Sequence, residues 1–182
     1  LLNDFYETLK GETYLTFNPG IILGGTEISY DEPSNTGNAF GKTNVVAQSV
    51  IIDGDLRFIS EEQKKRTRDK MREIISNNLP ETSAEITFFD SYPAMPPTQQ
   101  NKDLLKKFSD VSVSMGHGPV EAWDPSKRGA ADVSFVAQYV ACIDGLGAMG
   151  NWAHTSKETI NLKTFDVLTQ RTAVLIYRLV NE

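Results

Sequence analysis

The spacing of apolar residues at the start of the chain predicts a helix followed by a strand. Leu2, Phe5 and Leu9 recur at helical intervals, as expected for the buried side of a helix. Residues 13–18 then alternate between apolar and polar side chains, which is typical of a half-buried strand. The Pro19-Gly20 pair predicts that this strand ends there.

A second alternating pattern predicts a long strand over residues 43–58. One parity holds Val46, Val50, Ile52, Leu56 and Phe58, and the other holds Ile51, Asp53, Asp55 and Arg57. Because successive strand side chains point to opposite faces, we expect the first set to be buried and the second to form a largely polar face. The preceding segment 31–41 is rich in Pro, Ser, Asn and Gly and predicts a loop or hairpin connection.

A capping pattern predicts where the next helix begins. Gln63 stands three residues after Ser60, which is the spacing of a capping box, and Pro80 ends the apolar periodicity that follows. Residues 84–89 are β-branched and aromatic enough to predict another strand. This order is that of a ferredoxin-like βαββαβ unit without its first strand, an α+β arrangement. The missing strand leaves an open sheet edge, which invites pairing with another chain.

A proline-rich connection at residues 91–97 predicts a boundary between two domains, 1–91 and 92–182. The second domain is predicted to be an α/β layer with helices at 99–109, 131–139 and 162–180 and short strands at 120–123 and 140–143. The expected inner face of the last helix consists of Leu162, Phe165, Leu168, Leu175, Ile176 and Leu179.

Composition narrows the class of protein. Apolar residues make up 40% and charged residues 23% of the chain, as in globular proteins. The net charge of −6 argues against a nucleic-acid partner. No apolar stretch reaches the roughly 20 residues needed to span a membrane, so we expect a soluble protein, cytoplasmic or exported. The single cysteine, Cys142, excludes an intrachain disulfide and is expected to be a small buried hydrophobe.

The two histidines are the first candidates for chemistry. His117 lies between glycines in a predicted surface turn. His154 follows a glycine-rich segment after the predicted strand 140–143, and loops at the carboxyl ends of parallel strands are where α/β sheets place ligands and metals. A zinc site needs three or four protein ligands, so the residues alone favour an ordinary histidine at position 154.

A second candidate is the turn of small residues at 126–132, which leads into a predicted helix. Free N–H groups at a helix start bind anions, and Arg128 would add a carboxylate clamp. Equally, Asp132 would cap the helix and Arg128 would be a surface charge. Both interpretations stay open. Asn44 and Arg57 belong to the predicted long strand, with Arg57 on its polar face.

Four passages together carry a family resemblance. They are Asn44-Val45-Val46-Ala47, Gly54-Asp55-Leu56-Arg57, Arg128-Gly129-Ala130-Ala131-Asp132, and Gly145-Leu146-Gly147 leading to Ala153-His154-Thr155. In this order they resemble the zinc metallopeptidase family of glutamate carboxypeptidase, acetylornithine deacetylase and succinyl-diaminopimelate desuccinylase. The resemblance implies a catalytic α/β domain that holds two zinc ions, with an inserted lid domain through which subunits form a homodimer.

The resemblance also implies roles for particular residues and regions. Residues 1–91 correspond to most of the lid and residues 92–182 to the C-terminal part of the catalytic domain. His154 falls on a zinc ligand. The implied substrate-binding residues are Asn44, Arg57, Arg128, Gly129, Ala130 and Asp132. The implied substrate is a small peptide or N-acyl amino acid, whose amide bond a metal-activated water would hydrolyse.

Departures from the family pattern set further expectations. The early His-x-Asp motif, the paired glutamates with the general base, and the lid histidine donated across the dimer have no counterpart in these residues. We therefore expect the C-terminal part of a longer enzyme, with zinc absent or weakly bound and no hydrolase activity in this chain alone. Ala47 replaces the usual proline, and Tyr92 stands where some carboxypeptidases carry a substrate arginine. The alternative is a non-catalytic dimerisation or peptide-binding module.

Overall fold

A computed structural model describes residues 1–181. The chain forms two compact units, the first unit from Leu1 to Thr87 and the second unit from Phe88 onward. The proline-rich connection predicted this division between residues 91 and 92. Over the described residues, four α-helices and small antiparallel sheets make up a mixed α/β structure, which confirms the predicted fold class.

The first unit contains two helices and four strands. In chain order they are α1 (Leu2–Leu9), β1 (Thr16–Gly25), β2 (Glu27–Asp31), β3 (Thr36–Phe40), β4 (Ser49–Arg57) and α2 (Glu61–Ile75). Strand β1 pairs antiparallel with β4, and β2 pairs antiparallel with β3. The predicted order of helix, strand, strand and helix is therefore present. A β2–β3 hairpin over residues 27–40 lies between the two long strands, and it begins before the segment 31–41 for which a loop or hairpin was expected.

Strand β1 runs past the position where the sequence predicted its end. The register with β4 shifts between Pro19 and Ile21, so a bulge absorbs the proline and pairing continues to Gly25. Bulges are among the few places where a sheet tolerates proline. Gly54 faces this bulge, and a Cβ atom there would clash with the carbonyl oxygen of Asn18. The prediction that Pro19-Gly20 ends the strand was wrong for this reason.

The predicted burial of the long strand is reversed over its first half. Val46, Val50 and Ile52 are 89%, 56% and 44% exposed, whereas Ile51 and Asp53 are half-buried. The hairpin explains the difference because Tyr30, on β2, donates a hydrogen bond to Asp53. Sequence parity identified the two faces, but a hairpin packed on the face expected to be polar.

The helices hold the apolar core of the first unit. Phe5 and Leu9 of α1 are buried, as are Met71 and Ile74 of α2. The predicted capping box is confirmed, since the N–H of Gln63 donates to the Ser60 hydroxyl over 3.1 Å. The Gln63 amide, only 5% exposed, also donates to the carbonyl of Thr13 over 3.0 Å. The start of α2 is thereby fixed to the segment that leads into β1.

The strand predicted over residues 84–89 is not formed. Ala84 and Ile86 are half-buried and Glu85 and Thr87 exposed, so the alternation expected of a strand is present. A strand also requires a paired neighbour. In a βαββαβ unit the last strand pairs with the first, and residues 1–91 were predicted to lack that first strand. The prediction was therefore wrong about pairing and right about alternation.

The second unit is built on two helices, α3 (Gln99–Ser114) and α4 (Leu162–Val180), with a short antiparallel pair β5 (Gly150–Asn151) and β6 (Thr159–Ile160). Both helices were predicted, α3 being longer than expected. The predicted strands at 120–123 and 140–143 are not formed. In place of the predicted helix 131–139 there is a single 3₁₀ turn, Asp132–Phe135. Short apolar runs do not distinguish strand, helix and packed coil by periodicity alone.

Phe108, Val111 and Leu175 form the core of the second unit. Of the six residues predicted for the inner face of α4, only Leu168 and Leu175 are buried. Leu162, Phe165, Ile176 and Leu179 are 74%, 50%, 55% and 39% exposed. The side of α4 turned to α3 instead includes Arg171, whose guanidinium lies 4.8 Å from the centroid of the Phe108 ring.

Cys142 is 5% exposed, and its N–H donates to the side-chain carbonyl of Asn101 over 2.8 Å, which confirms the expectation of a buried cysteine. Within residues 1–181, no helix combines the length and apolar character needed to cross a membrane.

Candidate functional site

Asn44 lies in a loop rather than in the predicted strand. The Asn44 loop, residues 41–48, lies between β3 and β4, and the Asn44 side chain is exposed. Inside the loop, the N–H of Val45 donates to the carbonyl of Lys42 over 3.0 Å. At its far end, the N–H of Gln48 donates to the carbonyl of Gly25 over 3.0 Å. The loop is thus held at the end of β1, and its asparagine points outward from a fixed base.

Arg57 is the last residue of β4 and already has a carboxylate partner. Its Nε donates to Asp55 Oδ2 over 2.7 Å, and its side chain is 71% exposed. Partial burial alone would raise the pKa of Asp55, but hydrogen bonds from Arg57 and Asn18 outweigh it and hold the pKa below the usual carboxyl value. A substrate carboxylate would therefore bind Arg57 in competition with Asp55.

The turn at residues 128–132 is tied to the segment just before α3. Arg128 donates from Nη2 to the carbonyl of Met95 over 2.9 Å. The Tyr92 hydroxyl donates to Asp132 Oδ1 over 3.2 Å, and the ring of Tyr92 lies against that of Phe135 with centroids 5.4 Å apart. Two separate contacts, Arg128 with Met95 and Asp132 with Tyr92, thereby hold the two ends of the turn, and Gly129 and Ala130 between them are exposed.

The two interpretations of Asp132 both assumed a helix that is not formed. Asp132 is the first residue of the 3₁₀ turn Asp132–Phe135, whose N-cap is Ala131, and no side-chain cap hydrogen bond is made there. A single turn has few aligned N–H groups and little dipole. Binding of an anion at this turn would depend on the side chain of Arg128, which currently holds a backbone carbonyl.

Asp124 caps the 3₁₀ turn Pro125–Lys127. Its carboxylate accepts hydrogen bonds from the N–H and the hydroxyl of Ser126, each over 2.8 Å. The backbone hydrogen bond from Ser126, followed by that from its hydroxyl, lowers the pKa of Asp124. Asp124 fixes the start of the turn Pro125–Lys127, from which Arg128 extends.

His154 is exposed in the connection between β5 and β6. It has a positive φ of 63°, and Trp152 has a φ of 61°. The predicted parallel strand before it is absent, so the histidine follows a short antiparallel pairing rather than a sheet crevice. His117 is half-buried in the turn after α3, where its N–H donates to the carbonyl of Ser112 over 3.0 Å.

The zinc site that the resemblance implies can be tested against these side chains. Among residues 1–181, no group of three or more His, Cys, Asp or Glu side chains is placed to hold a metal ion. A zinc ion needs three or four protein ligands. His154 offers one imidazole, so these residues by themselves do not fit a zinc site.

The first unit has a counterpart among known protein families. Residues 1–83, from α1 through α2, match the model of the peptidase dimerisation domain. Residues 1–83 are therefore similar to a peptidase dimerisation domain. The match confirms the resemblance to peptidases that carry such a lid, and it ends four residues before the boundary of the first unit at Thr87. No curated protein and no solved structure matches the chain.

Two residues of the first unit that were not predicted as candidates, Thr26 and Tyr30, hold the hairpin and the Asn44 loop in place. Thr26 hydrogen-bonds the carbonyl of Phe40 at the start of the Asn44 loop. Tyr30 joins the hairpin to β4 through Asp53. The side-chain hydrogen bond to Asp53 is the main cause that raises the pKa of Tyr30 to about 12. The sequence Gly24-Gly25-Thr26 could have predicted a tight junction at this point, because paired glycines before an alternating segment are typical of a turn.

Proposed function

We propose that this chain is the C-terminal part of a zinc-dependent amidohydrolase or carboxypeptidase that acts on a peptidyl or N-acyl amino acid. The match of residues 1–83 to a peptidase dimerisation domain supports this proposal. The passages around Arg128 and His154 follow that domain in the order expected for the end of such a catalytic domain. We expect the chain by itself to be inactive, because among residues 1–181 no group of three or more His, Cys, Asp or Glu side chains is placed to hold a metal ion.

Asn44 and Arg57 bind the substrate from the lid. Both side chains are exposed, and Arg57 offers its remaining N–H groups to a substrate carboxylate. Arg128, Gly129, Ala130 and Asp132 line the substrate side of the catalytic domain, with Tyr92 bonded to Asp132. His154 contributes one imidazole to zinc, and the other ligands come from residues outside this chain.

A second copy of the chain is the proposed partner. The dimerisation domain supports a homodimer through the lid, and the net charge of −6 supports neither a nucleic-acid nor an anionic-surface partner. Sedimentation equilibrium over a range of concentrations tests the homodimer. We expect a species of twice the monomer mass of 20.2 kDa, and a monomer at all concentrations up to millimolar would contradict it.

The histidines provide a matched test of the catalytic proposal. In the full polypeptide encoded by the gene that contains these residues, His154→Ala is expected to reduce bound zinc and to lower kcat on dipeptides or N-acyl amino acids by more than roughly 100-fold. His117→Ala is the control and should change neither quantity. Zinc content is measured by plasma mass spectrometry and hydrolysis by amine release.

Two results would contradict the proposal. One is a full polypeptide that dimerises but neither binds zinc nor hydrolyses amides, which would favour the non-catalytic module. The other is an enzyme whose zinc content and kcat are the same with and without His154, which would leave the enzyme class intact and remove the role of His154.

A further inference from the structure

Both ends of the Asn44 loop are fastened at two adjacent residues, Gly25 and Thr26. At the start of the loop, the carbonyl of Phe40 accepts two hydrogen bonds from Thr26, one from its N–H over 2.8 Å and one from Oγ1 over 2.9 Å. At the end of the loop, the carbonyl of Gly25 accepts the N–H of Gln48 over 3.0 Å. The loop is therefore closed at its base by hydrogen bonds to one short junction of the chain.

The junction at Gly25 and Thr26 is too closely packed for a side chain at position 25. Gly25 is buried, and a Cβ atom at this position would lie 2.6 Å from the carbonyl oxygen of Phe40 and 3.2 Å from that of Glu27. Real Cβ atoms do not approach a carbonyl oxygen this closely, so glycine is required for the two strands to meet here. The close approach brings the carbonyl of Phe40 within reach of the Thr26 hydroxyl.

The hairpin that carries Phe40 is itself fixed to the sheet. Tyr30 donates to Asp53 Oδ2 over 2.6 Å. On β3, a Cβ atom at Gly37 would lie 2.7 Å from Leu23 Cδ2, so the hairpin packs directly on β1. The position of the Phe40 carbonyl, and hence of the loop that follows it, is set by the sheet rather than by the loop sequence.

We propose that Thr26 is a positioning residue for Asn44, which it places by fastening the first end of the Asn44 loop to the end of β1. This inference rests on the proposed role of Asn44 in substrate binding. Thr26 itself does not contact substrate. Its hydroxyl removes conformational freedom from the loop, so that the asparagine does not have to be ordered when substrate binds.

The first experiment tests whether the hydrogen bond from the Thr26 hydroxyl to the Phe40 carbonyl restrains the Asn44 loop. Thr26→Val keeps the β-branched shape and removes the hydroxyl donor, and Thr26→Ser keeps the donor. Thr36→Val is the control, because Thr36 lies in the same hairpin and loses a hydroxyl contact with Ser34 of 2.7 Å, far from Phe40 along the strand. Hydrogen exchange is followed by mass spectrometry on peptides that cover residues 41–48.

For Thr26→Val we expect amide exchange in the loop about five-fold faster, as the loss of one hydrogen bond predicts. Thr26→Ser and Thr36→Val should exchange at the wild-type rate in this segment. Unchanged exchange in Thr26→Val, or equal acceleration across the whole first unit, would overturn the fastening.

The second experiment is a double-mutant cycle in the full enzyme. It distinguishes an effect of Thr26 that acts through Asn44 from a general effect on the structure. We expect Thr26→Val to raise KM, with a smaller effect on kcat, and to have no further effect when Asn44 is already alanine. Thr26→Ser should restore KM. Additive effects of Thr26→Val and Asn44→Ala would overturn the inference.

The two experiments also distinguish failure of the inference from failure of the proposed function. If Asn44→Ala leaves KM and kcat unchanged, Asn44 has no role in substrate binding and the positioning role of Thr26 falls with it, whatever the exchange data show. If Asn44→Ala is defective while Thr26→Val is not, the proposed function stands and the positioning role is contradicted.

Discussion

The hydroxyl of Tyr30 donates a 2.6 Å hydrogen bond to Asp53 Oδ2, which joins the β2–β3 hairpin to the β1–β4 sheet of the first unit. The same hydroxyl lies 3.1 Å from Asn35 Oδ1 near the hairpin turn. This contact determines which face of β4 is covered. It places the half-buried Ile51 and Asp53 under the hairpin and leaves Val50 and Ile52 exposed.

The Tyr30 contact predicts a loss of stability at high pH. The hydrogen bond with Asp53 raises the pKa of Tyr30 to about 12 from its ordinary value of 10.0. Because the folded state holds this proton more tightly than the unfolded state, the contribution is complete below pH 10 and is lost as the pH rises toward 12. We expect the stability difference between wild type and Tyr30→Phe to shrink over this range in urea titrations. A constant difference would contradict the prediction.

Asp55 predicts the opposite pH dependence. Partial burial acts to raise its pKa, but hydrogen bonds from Arg57 and Asn18 outweigh this and hold the folded-state pKa below the ordinary value of 3.8. The contribution to stability is therefore complete above the unfolded-state pKa and is lost as the pH falls through the folded-state pKa. The difference in urea midpoint between wild type and Asp55→Asn should be constant from pH 7 to pH 5 and decrease below about pH 4. A difference that grows on acidification would contradict this.

Gly54 predicts a steric effect on folding. A Cβ atom there would clash with the carbonyl of Asn18 across the β1–β4 pair. Gly54→Ala should lower the free energy of unfolding by about 1–3 kcal/mol, the usual range for overpacking. Gly129→Ala is the control, since nothing lies within 4 Å of a Cβ at that position. Equal stability of the two variants in chemical denaturation would contradict the close approach at Gly54.

The burial of Phe108 predicts that its removal destabilises the second unit. It is 2% exposed, and the Arg171 guanidinium lies over its ring. Phe108→Ala should cost about 3–5 kcal/mol of unfolding free energy, whereas Val113→Ala, at a residue 54% exposed, should cost little. Both tryptophans, Trp123 and Trp152, belong to the second unit, so tryptophan fluorescence follows its unfolding. A similar decrease in the free energy of unfolding in the two variants would contradict the buried position of Phe108.

Local features of the fold were predictable because they depend on neighbours in sequence. The Ser60–Gln63 capping box fixed the start of α2. Helical spacing of apolar residues located α1, α3 and α4. Four residues of the candidate site were predicted from the family resemblance: Asn44, Arg57, Arg128 and His154. Tyr92 was noted because it replaces an arginine found in some carboxypeptidases. The sequence did not supply the partners that now restrain these residues, such as Asp55 for Arg57, because these partners depend on the fold.

The sequence by itself determined the positions of α1, α2, α3 and α4, the two faces of β4, and the resemblance of residues 1–83 to a peptidase dimerisation domain. Each of these depends on residue spacing or on ordered short passages. Only the tertiary structure decided that the hairpin covers the face with Asp53, that β1 continues through a bulge at Pro19, and that residues 84–87 and 140–143 stay unpaired. Strand pairing and burial depend on a partner distant in sequence. Alternation shows that a segment can form a strand, and the presence of a neighbour decides whether it does.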